Sequence, residues 1–171
     1  MTEKEPVDRL LGKLKKKLSK IKMLEKIKEE KRSAEHLLYV SLKYTKTCDV
    51  ILNLIARWQV MIEDCMEELL RKIKREKVIT AIPLAPKTRV DVLLDSFKKE
   101  KVVKDVLELY LFFRRIPKDE KIREGEFRKN LALKVFDRGA YVTINVEKLE
   151  EWHELLESFI SFVEHHIVGK I

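Results

Sequence analysis

From Lys13 to Ile82 the chain runs for seventy residues without glycine or proline, and apolar residues recur through it at spacings of three and four. That combination predicts long amphipathic helices. The first stripe is Val7, Leu11, Leu14, Leu18, Ile21, Leu24 and Ile27, and its first five positions follow a coiled-coil heptad. Pro6 stands where a helix begins, because the first turn has no use for its missing N–H. The spacing predicts a helix over 7–32, about seven turns long.

A second helix is predicted over 33–78. Cys48, Ile55, Ile62 and Leu69 recur every seven residues, with Ile51, Leu52, Trp58, Cys65 and Ile73 between them. As one rod it would span roughly 65–70 Å at ~1.5 Å per residue. A domain of this size then requires either a kink near Tyr44–Thr47, where β-branched and polar residues interrupt the stripe, or an extended coiled coil. Ile82-Pro83-Leu84-Ala85-Pro86 is the clearest break. Thr88 and Asp91 have the spacing of a capping box and open a helix to about Arg115, with a bend at the Lys98–Lys101 cluster. Pro117 closes it, and Lys118–Arg128 reads as a charged, exposed loop.

The period then changes. Leu131, Leu133 and Val135 alternate with other residues, as do Ala140, Val142, Ile144 and Val146, around the turn Asp137-Arg138-Gly139. Alternation flanking a glycine turn predicts a β-hairpin, with strands 130–136 and 140–145. A last helix over 147–167 buries Leu149, Trp152, Leu156, Phe159, Val163 and Ile167 and turns Glu150, Glu151, Glu154, Glu157 and Glu164 outward. The expected fold is mainly α: an antiparallel four-helix bundle with a long coiled-coil-like N-terminal arm and a small hairpin before the last helix. Residues 1–32 form the arm and 33–171 the bundle domain.

Composition narrows the class. Of 171 residues 45% are hydrophobic, enough for a core, and the chain has only four glycines and four prolines. No apolar run approaches the ~20 residues of a membrane-spanning helix, and lysines interrupt the front where a secretory leader would be apolar. The chain therefore reads as a cytoplasmic protein with no integral membrane association. With 26 Lys and 21 Glu but one Gln and three Asn, it has the profile of a thermophilic protein. The net charge of +8 is uneven: residues 1–35 carry twelve basic and seven acidic side chains, and 118–171 carry nine and eleven.

Sites of chemistry are sparse. Four His and two Cys form no Cys-x-x-Cys or His-x-x-x-His spacing, so a structural zinc has no local scaffold. Glu150 and His153 make one Glu-x-x-His unit, of which a di-iron bundle needs two. Glu63, Asp64, Glu67 and Glu68 flank Cys65 and Met66 on what reads as a solvated helix edge. Cys48 and Cys65 fall on the apolar stripe, as core residues, and some 25 Å of helix between them excludes a disulfide. Isolated glycines leave no phosphate loop, and no Gly-x-Ser-x-Gly elbow occurs. No metal, cofactor or catalytic residue is expected. Tyr44, Lys46, Asp49, Asn53 and Arg57 put functional side chains on the long helix at mostly three- and four-residue gaps. Asn is a poor mid-helix residue, so a buried hydrogen bond, a register-fixing contact or a ligand is expected at Asn53.

Between Arg9 and Lys22 there are seven bases and no acid: Arg9, Lys13, Lys15, Lys16, Lys17, Lys20 and Lys22. Arg71, Lys72, Lys74, Arg75 and Lys77 form a second cluster, which also suits a helix C-terminus. Such patches attract phosphate backbones, anionic membrane surfaces or an acidic partner helix. Aromatic interleaving for single-strand stacking is absent from both clusters. The acidic stretch 147–167 is one candidate for covering the basic front helix, within the chain or across a dimer.

The region from Ser33 to Ile167, with a long helix, an antiparallel partner and the closing amphipathic run Leu149 to Val163, resembles the HEPN superfamily of prokaryotic helical bundles. The resemblance implies an all-helical, commonly dimeric protein, related to endoribonucleases or to partners of small nucleotidyltransferases in toxin–antitoxin pairs. The family's catalytic signature is an Arg followed after four to six residues by His. Here Arg32 and His36 have three residues between them, so no catalytic residue carries over and a non-catalytic member is implied. The leading expectation is a non-enzymatic helical interaction protein, a homo-oligomer and most simply a dimer. The alternatives are an RNA-associated protein using the basic front helix, and a ligand or enzyme site around Tyr44, Asp49, Asn53 and Arg57.

Overall fold

The computed structural model describes residues 4–169; the first three residues of the predicted arm and the last two of the bundle domain lie outside the described residues. Helix α1 (Lys4–His36) does not stop at residue 32. Nothing at Arg32-Ser33-Ala34 ends a helix, and Ala34 is buried like Leu24 and Ile27 before it. It runs on through a π-helical turn, Leu37–Ser41, in which the Leu42 N–H reaches back to the Leu37 carbonyl, and into the short α2 (Leu42–Tyr44). The wide turn keeps Leu38 and Leu42 in the core while turning Tyr39 and Val40 outward. The rod breaks at Thr45–Thr47, the kinked one of the two arrangements that the sequence allows. The Thr47 hydroxyl then accepts from Val50 N and starts α3 (Cys48–Arg75).

Helix α3 is the centre of the fold. The second half of α1 and α5 (Lys101–Arg115) pack antiparallel on it, the shorter α4 (Pro86–Ser96) covers it through Arg89 on Glu67, and α6 (Val146–Val168) closes the layer. The capping box expected at Thr88 is absent: Pro86 occupies the first turn of α4 after Ala85, and Asp91 pairs instead with Lys87 at 3.0 Å. The predicted helix 88–115 is two helices. The chain leaves helical geometry at Phe97, whose ring packs edge-on against Phe162 (5.6 Å) and His166 (5.7 Å) of α6. With the three-residue α2 counted as the end of the α1 rod, splitting that segment makes five helices among the described residues instead of the predicted four. Trp58, 1% exposed and stacked on Phe113 at 6.2 Å, ties α3 to α5, and Trp152 of α6 meets the same Phe113 edge-on.

The hairpin forms as expected between β2 (Ala132–Asp137) and β3 (Ala140–Ile144), with Arg138 and Gly139 both at positive φ in the two-residue turn. A third strand, β1 (Lys121–Glu124), pairs antiparallel with β2 from Lys121 opposite Val135 to Glu124 opposite Ala132. This segment reads as a loop in sequence because Lys-Ile-Arg-Glu offers a single apolar residue. An edge strand needs only a paired backbone and tolerates charge on its outer side. Leu131, Leu133, Val135 and Ile144 carry the sheet into the core. Arg115 at the end of α5 grips Asp137 at the end of β2 with two hydrogen bonds, 2.7 and 3.1 Å.

Candidate functional site

The N-terminal half of α1 is an uncovered amphipathic rod. Ion pairs and burial join α1 to the rest of the molecule from Leu24 onward: Lys26 to Asp64, Lys28 to Glu164 and Lys31 to Glu157. Lys20 lies beside Arg75, at the far end of α3. Residues 4–20 therefore extend beyond α3, a length of about 25 Å at ~1.5 Å per residue. Along this extension Val7, Leu10, Leu11, Leu14 and Leu18 are all at least half exposed, and Ile21 is exposed at 41%. Arg9, Lys13, Lys15, Lys16, Lys17 and Lys22 are exposed as well, and Lys20 is half-buried. Lys20 is held below the usual lysine value by burial first and then by the Arg75 and Lys16 charges. The two basic clusters of the sequence thus adjoin in space. The pairing of the basic front with α6 is displaced: the residues of α1 that meet the acidic helix are Lys28 and Lys31, beyond the Arg9–Lys22 run.

The polar stripe is divided. Tyr44 is 80% exposed. Lys46 lies in the break before α3 and donates to the Lys43 carbonyl at 2.8 Å. Asp49 pairs with Arg123 of β1 at 2.8 Å. Asn53 and Arg57 are exposed on α3. Neither a buried hydrogen bond nor a register-fixing contact accounts for Asn53. Of the five, Lys46 lines a cavity of the described residues.

A different convergence forms where the π-helical turn, the break and the loop 125–131 meet. Leu38, Leu42 and Leu131 floor a cavity of about 270 Å3, Tyr39 forms one wall, and Lys43, Lys46, Arg128 and Lys129 stand around it with Glu150 as the one acid. The loop is anchored twice on the start of α3. The Glu126 carboxylate accepts from Cys48 N at 3.3 and 3.4 Å, and the Phe127 N–H donates to the Lys46 carbonyl at 2.6 Å. Gly125 is required for the approach, since φ is +66° and an added Cβ would lie 2.6 Å from the Asn130 carbonyl oxygen. Phe127 adopts φ +67° with its ring 77% exposed.

The acids that read as a solvated edge are not one. Glu68 is 2% exposed, and burial raises it while Arg71, 3.1 Å away, opposes the shift. Glu63 accepts from the Tyr110 hydroxyl at 3.1 Å, and Glu67 binds Arg89 at 2.8 Å. Glu63, Glu67 and Glu68 thus each have a base or hydroxyl as partner, and a cavity of about 250 Å3 opens beside Glu63, Arg89 and Arg114. Glu35, His153 and Glu157 bring three possible metal-ligand atoms within 4.8 Å of one another, a cluster that sequence spacing cannot reveal because Glu35 comes from α1. Lys31, 3.0 Å from Glu157 and 3.5 Å from Glu35, already stands there as the cation. Both cysteines are buried. Burial pushes Cys48 up to about 11 and Cys65 higher still, so neither is a thiolate nucleophile.

No helix of the described residues is long and apolar enough to cross a membrane. Comparison with known protein families, with curated proteins and with solved structures finds no match to this chain.

Proposed function

We propose that this protein is a non-enzymatic helical interaction protein that self-associates through the N-terminal arm of α1. The observation that carries this reading is the row Val7, Leu11, Leu14, Leu18 and Ile21, heptad-spaced and 41–56% exposed on a helix that extends past its own core. An isolated helical segment of this length is marginal in water without a packing partner. A second copy of the arm offers the same spacing, so the two stripes interlock as a coiled coil. Ten such side chains in a dimer contribute on the order of 10 kcal/mol when covered, comparable with the cost of association. The result is a weak, concentration-dependent dimer. A dimer is also what the HEPN resemblance implies.

The lysines flanking the seam repel their counterparts, so added salt strengthens the association by screening them. Light scattering of the full chain over a range of concentrations tests this. Dimers that tighten with salt are expected, and Leu11→Glu, Leu14→Glu and Leu18→Glu together should give a folded monomer, with any loss of helix confined to the arm. A monomer at every concentration, or a triple variant with the mass of the native protein, refutes the reading.

The second reading is nucleic-acid association through the basic face of the arm, favoured by the nearness of Lys20 to the Arg75 cluster. Its salt dependence has the opposite sign, because bound phosphates release counterions. Replacing Lys13, Lys15, Lys16, Lys17 and Lys20 by Gln should flatten that slope. No binding of mixed RNA and DNA at about 50–100 mM salt eliminates it.

A further inference from the structure

We infer that the cavity between the π-helical turn and the loop 125–131 binds single-stranded nucleic acid, one base entering the cavity and its neighbours stacking on exposed aromatic rings. This site is separate from the arm and does not depend on its self-association. Three observations carry the inference. The first is the combination of an apolar floor with a basic rim. Leu38, Leu42 and Leu131 are each at most 4% exposed, while Lys43, Lys46, Arg128 and Lys129 face a single acid. Apolar floor and cationic rim match a flat ring joined to phosphate.

The second is the set of exposed rings on the two segments, of which Tyr39 lines the cavity and lies edge-on to His153 at 5.5 Å. Tyr39, Tyr44 and Phe127 are exposed at 51, 80 and 77%, and Tyr44 and Phe127 each adjoin a rim cation in sequence, Lys43 and Arg128. Basic side chains interleaved with aromatic rings are what a single strand uses, because every base presents a face to stack. A duplex hides those faces. The interleaving is missing from the basic helices in sequence and arises here only because 37–46 and 125–131 are brought together.

The third is the backbone. A phenylalanine at φ +67° is an outlier for a bulky residue, and such strain persists only where the surroundings impose it. Glu126 on the start of α3 and the Phe127 N–H on the Lys46 carbonyl impose it, and the ring they fix is left in solvent. A π-helical turn lines the opposite wall, another irregularity that concentrates at functional sites. The cavity, about 270 Å3, lies just under the ~300–1,000 Å3 of pockets that enclose a whole small ligand. It holds a base and leaves sugar and phosphate on the rim, which favours a strand over a free nucleotide.

Fluorescence anisotropy of the full chain with a labelled single-stranded RNA or DNA 12-mer, at about 50–100 mM salt, is the test. Saturable binding is expected, about tenfold tighter than for the corresponding duplex. Phe127→Gly suits the positive φ, keeps the loop and removes the ring; it and Tyr44→Ala should each weaken binding by about fivefold or more. Lys43→Gln with Arg128→Gln should weaken binding and lower its salt slope, while Lys13, Lys15, Lys16 and Lys17 all changed to Gln should leave the single-strand preference in place. No saturable binding, ring variants that bind like the native chain, or loss of all preference in the arm variant overturns the inference. So does a free mononucleotide that competes as strongly as the strand, since the occupant is then the nucleotide itself.

Discussion

Glu30 on α1 and Asp64 on α3 face each other across the seam between their helices, each with a carboxylate oxygen that is buried and lacks a hydrogen-bond partner. A proton held on Glu30 can be donated to the Asp64 carboxylate. Burial, and then the Asp64 carboxylate, pushes Glu30 up to about 7 against an ordinary value of 4.5. Lys26, 3.2 Å from Asp64, and the more distant Arg57 oppose the shift without cancelling it.

The sign of the resulting pH dependence is set by which state holds the proton. Between about 4.5 and 7 the folded protein keeps the Glu30 proton that the unfolded chain has lost, so this group's contribution to stability declines as pH rises through that window. Glu30→Gln mimics the protonated form. Discounted for the partial exposure of Glu30, it should stabilise the protein by roughly 1–2 kcal/mol at pH 8 and by little near pH 4.5. Thermal melts of variant and native chain at the two pH values check this; an equal difference at both would show that the pair shares no proton.

Asp137 titrates in the opposite sense. The Arg115 guanidinium holds its carboxyl below the usual range, so the contribution is present at neutral pH and is lost as pH falls through the depressed value. Arg115→Met leaves that carboxylate buried without its fork. The expected cost is about 2–3 kcal/mol, below the ~3–5 of a fully enclosed pair, because the Arg115 side chain is 32% exposed. Urea unfolding at pH 7 and pH 3 should show the variant's deficit shrinking in acid; a deficit that stays constant would assign the loss to packing.

The border between arm and core lies within one helix. Ile27, 1% exposed, should cost about 2–5 kcal/mol when changed to Ala. Leu14, 55% exposed, should cost no more than about 0.5 kcal/mol in dilute, monomeric protein. Denaturant titrations at low protein concentration distinguish them. A Leu14→Ala penalty matching that of Ile27→Ala would mean that the arm is covered within the monomer.

Glu126 is the clasp of the loop 125–131. Glu126→Ala removes the carboxylate from Cys48 N at the start of α3 and should cost about 1 kcal/mol, as loss of a helix cap does. Hydrogen exchange should show the Phe127 amide losing protection while amides of the β2–β3 ladder keep theirs. Uniform loss across both would make the loop and sheet one cooperative unit.

The helices, the hairpin and the heptad stripe were legible from the sequence because each rests on a period that neighbours in the chain establish. A stripe at three- and four-residue gaps makes a helix wherever one side finds cover, and Asp-Arg-Gly turns a hairpin by its own dihedral preferences. A break near Tyr44–Thr47 was one of two arrangements that the sequence allowed, the other being an extended coiled coil. What tertiary structure decided is whatever depends on residues far apart in sequence. The β1 strand exists because β2 offers it a backbone. Helices α4 and α5 separate where Phe97 packs on α6, and Glu68, charged in sequence, is buried because α3 lies at the centre. The break parts Tyr44 and Lys46 from Asp49, Asn53 and Arg57, which stay in line on α3. The aromatic and basic cluster assembled around Lys43 and Phe127 because a carboxylate 78 residues along the chain docks on the first amide of α3. Periodicity specifies which face of an element is apolar; only packing decides which faces meet, and a site made of side chains from three separate segments has no period to read.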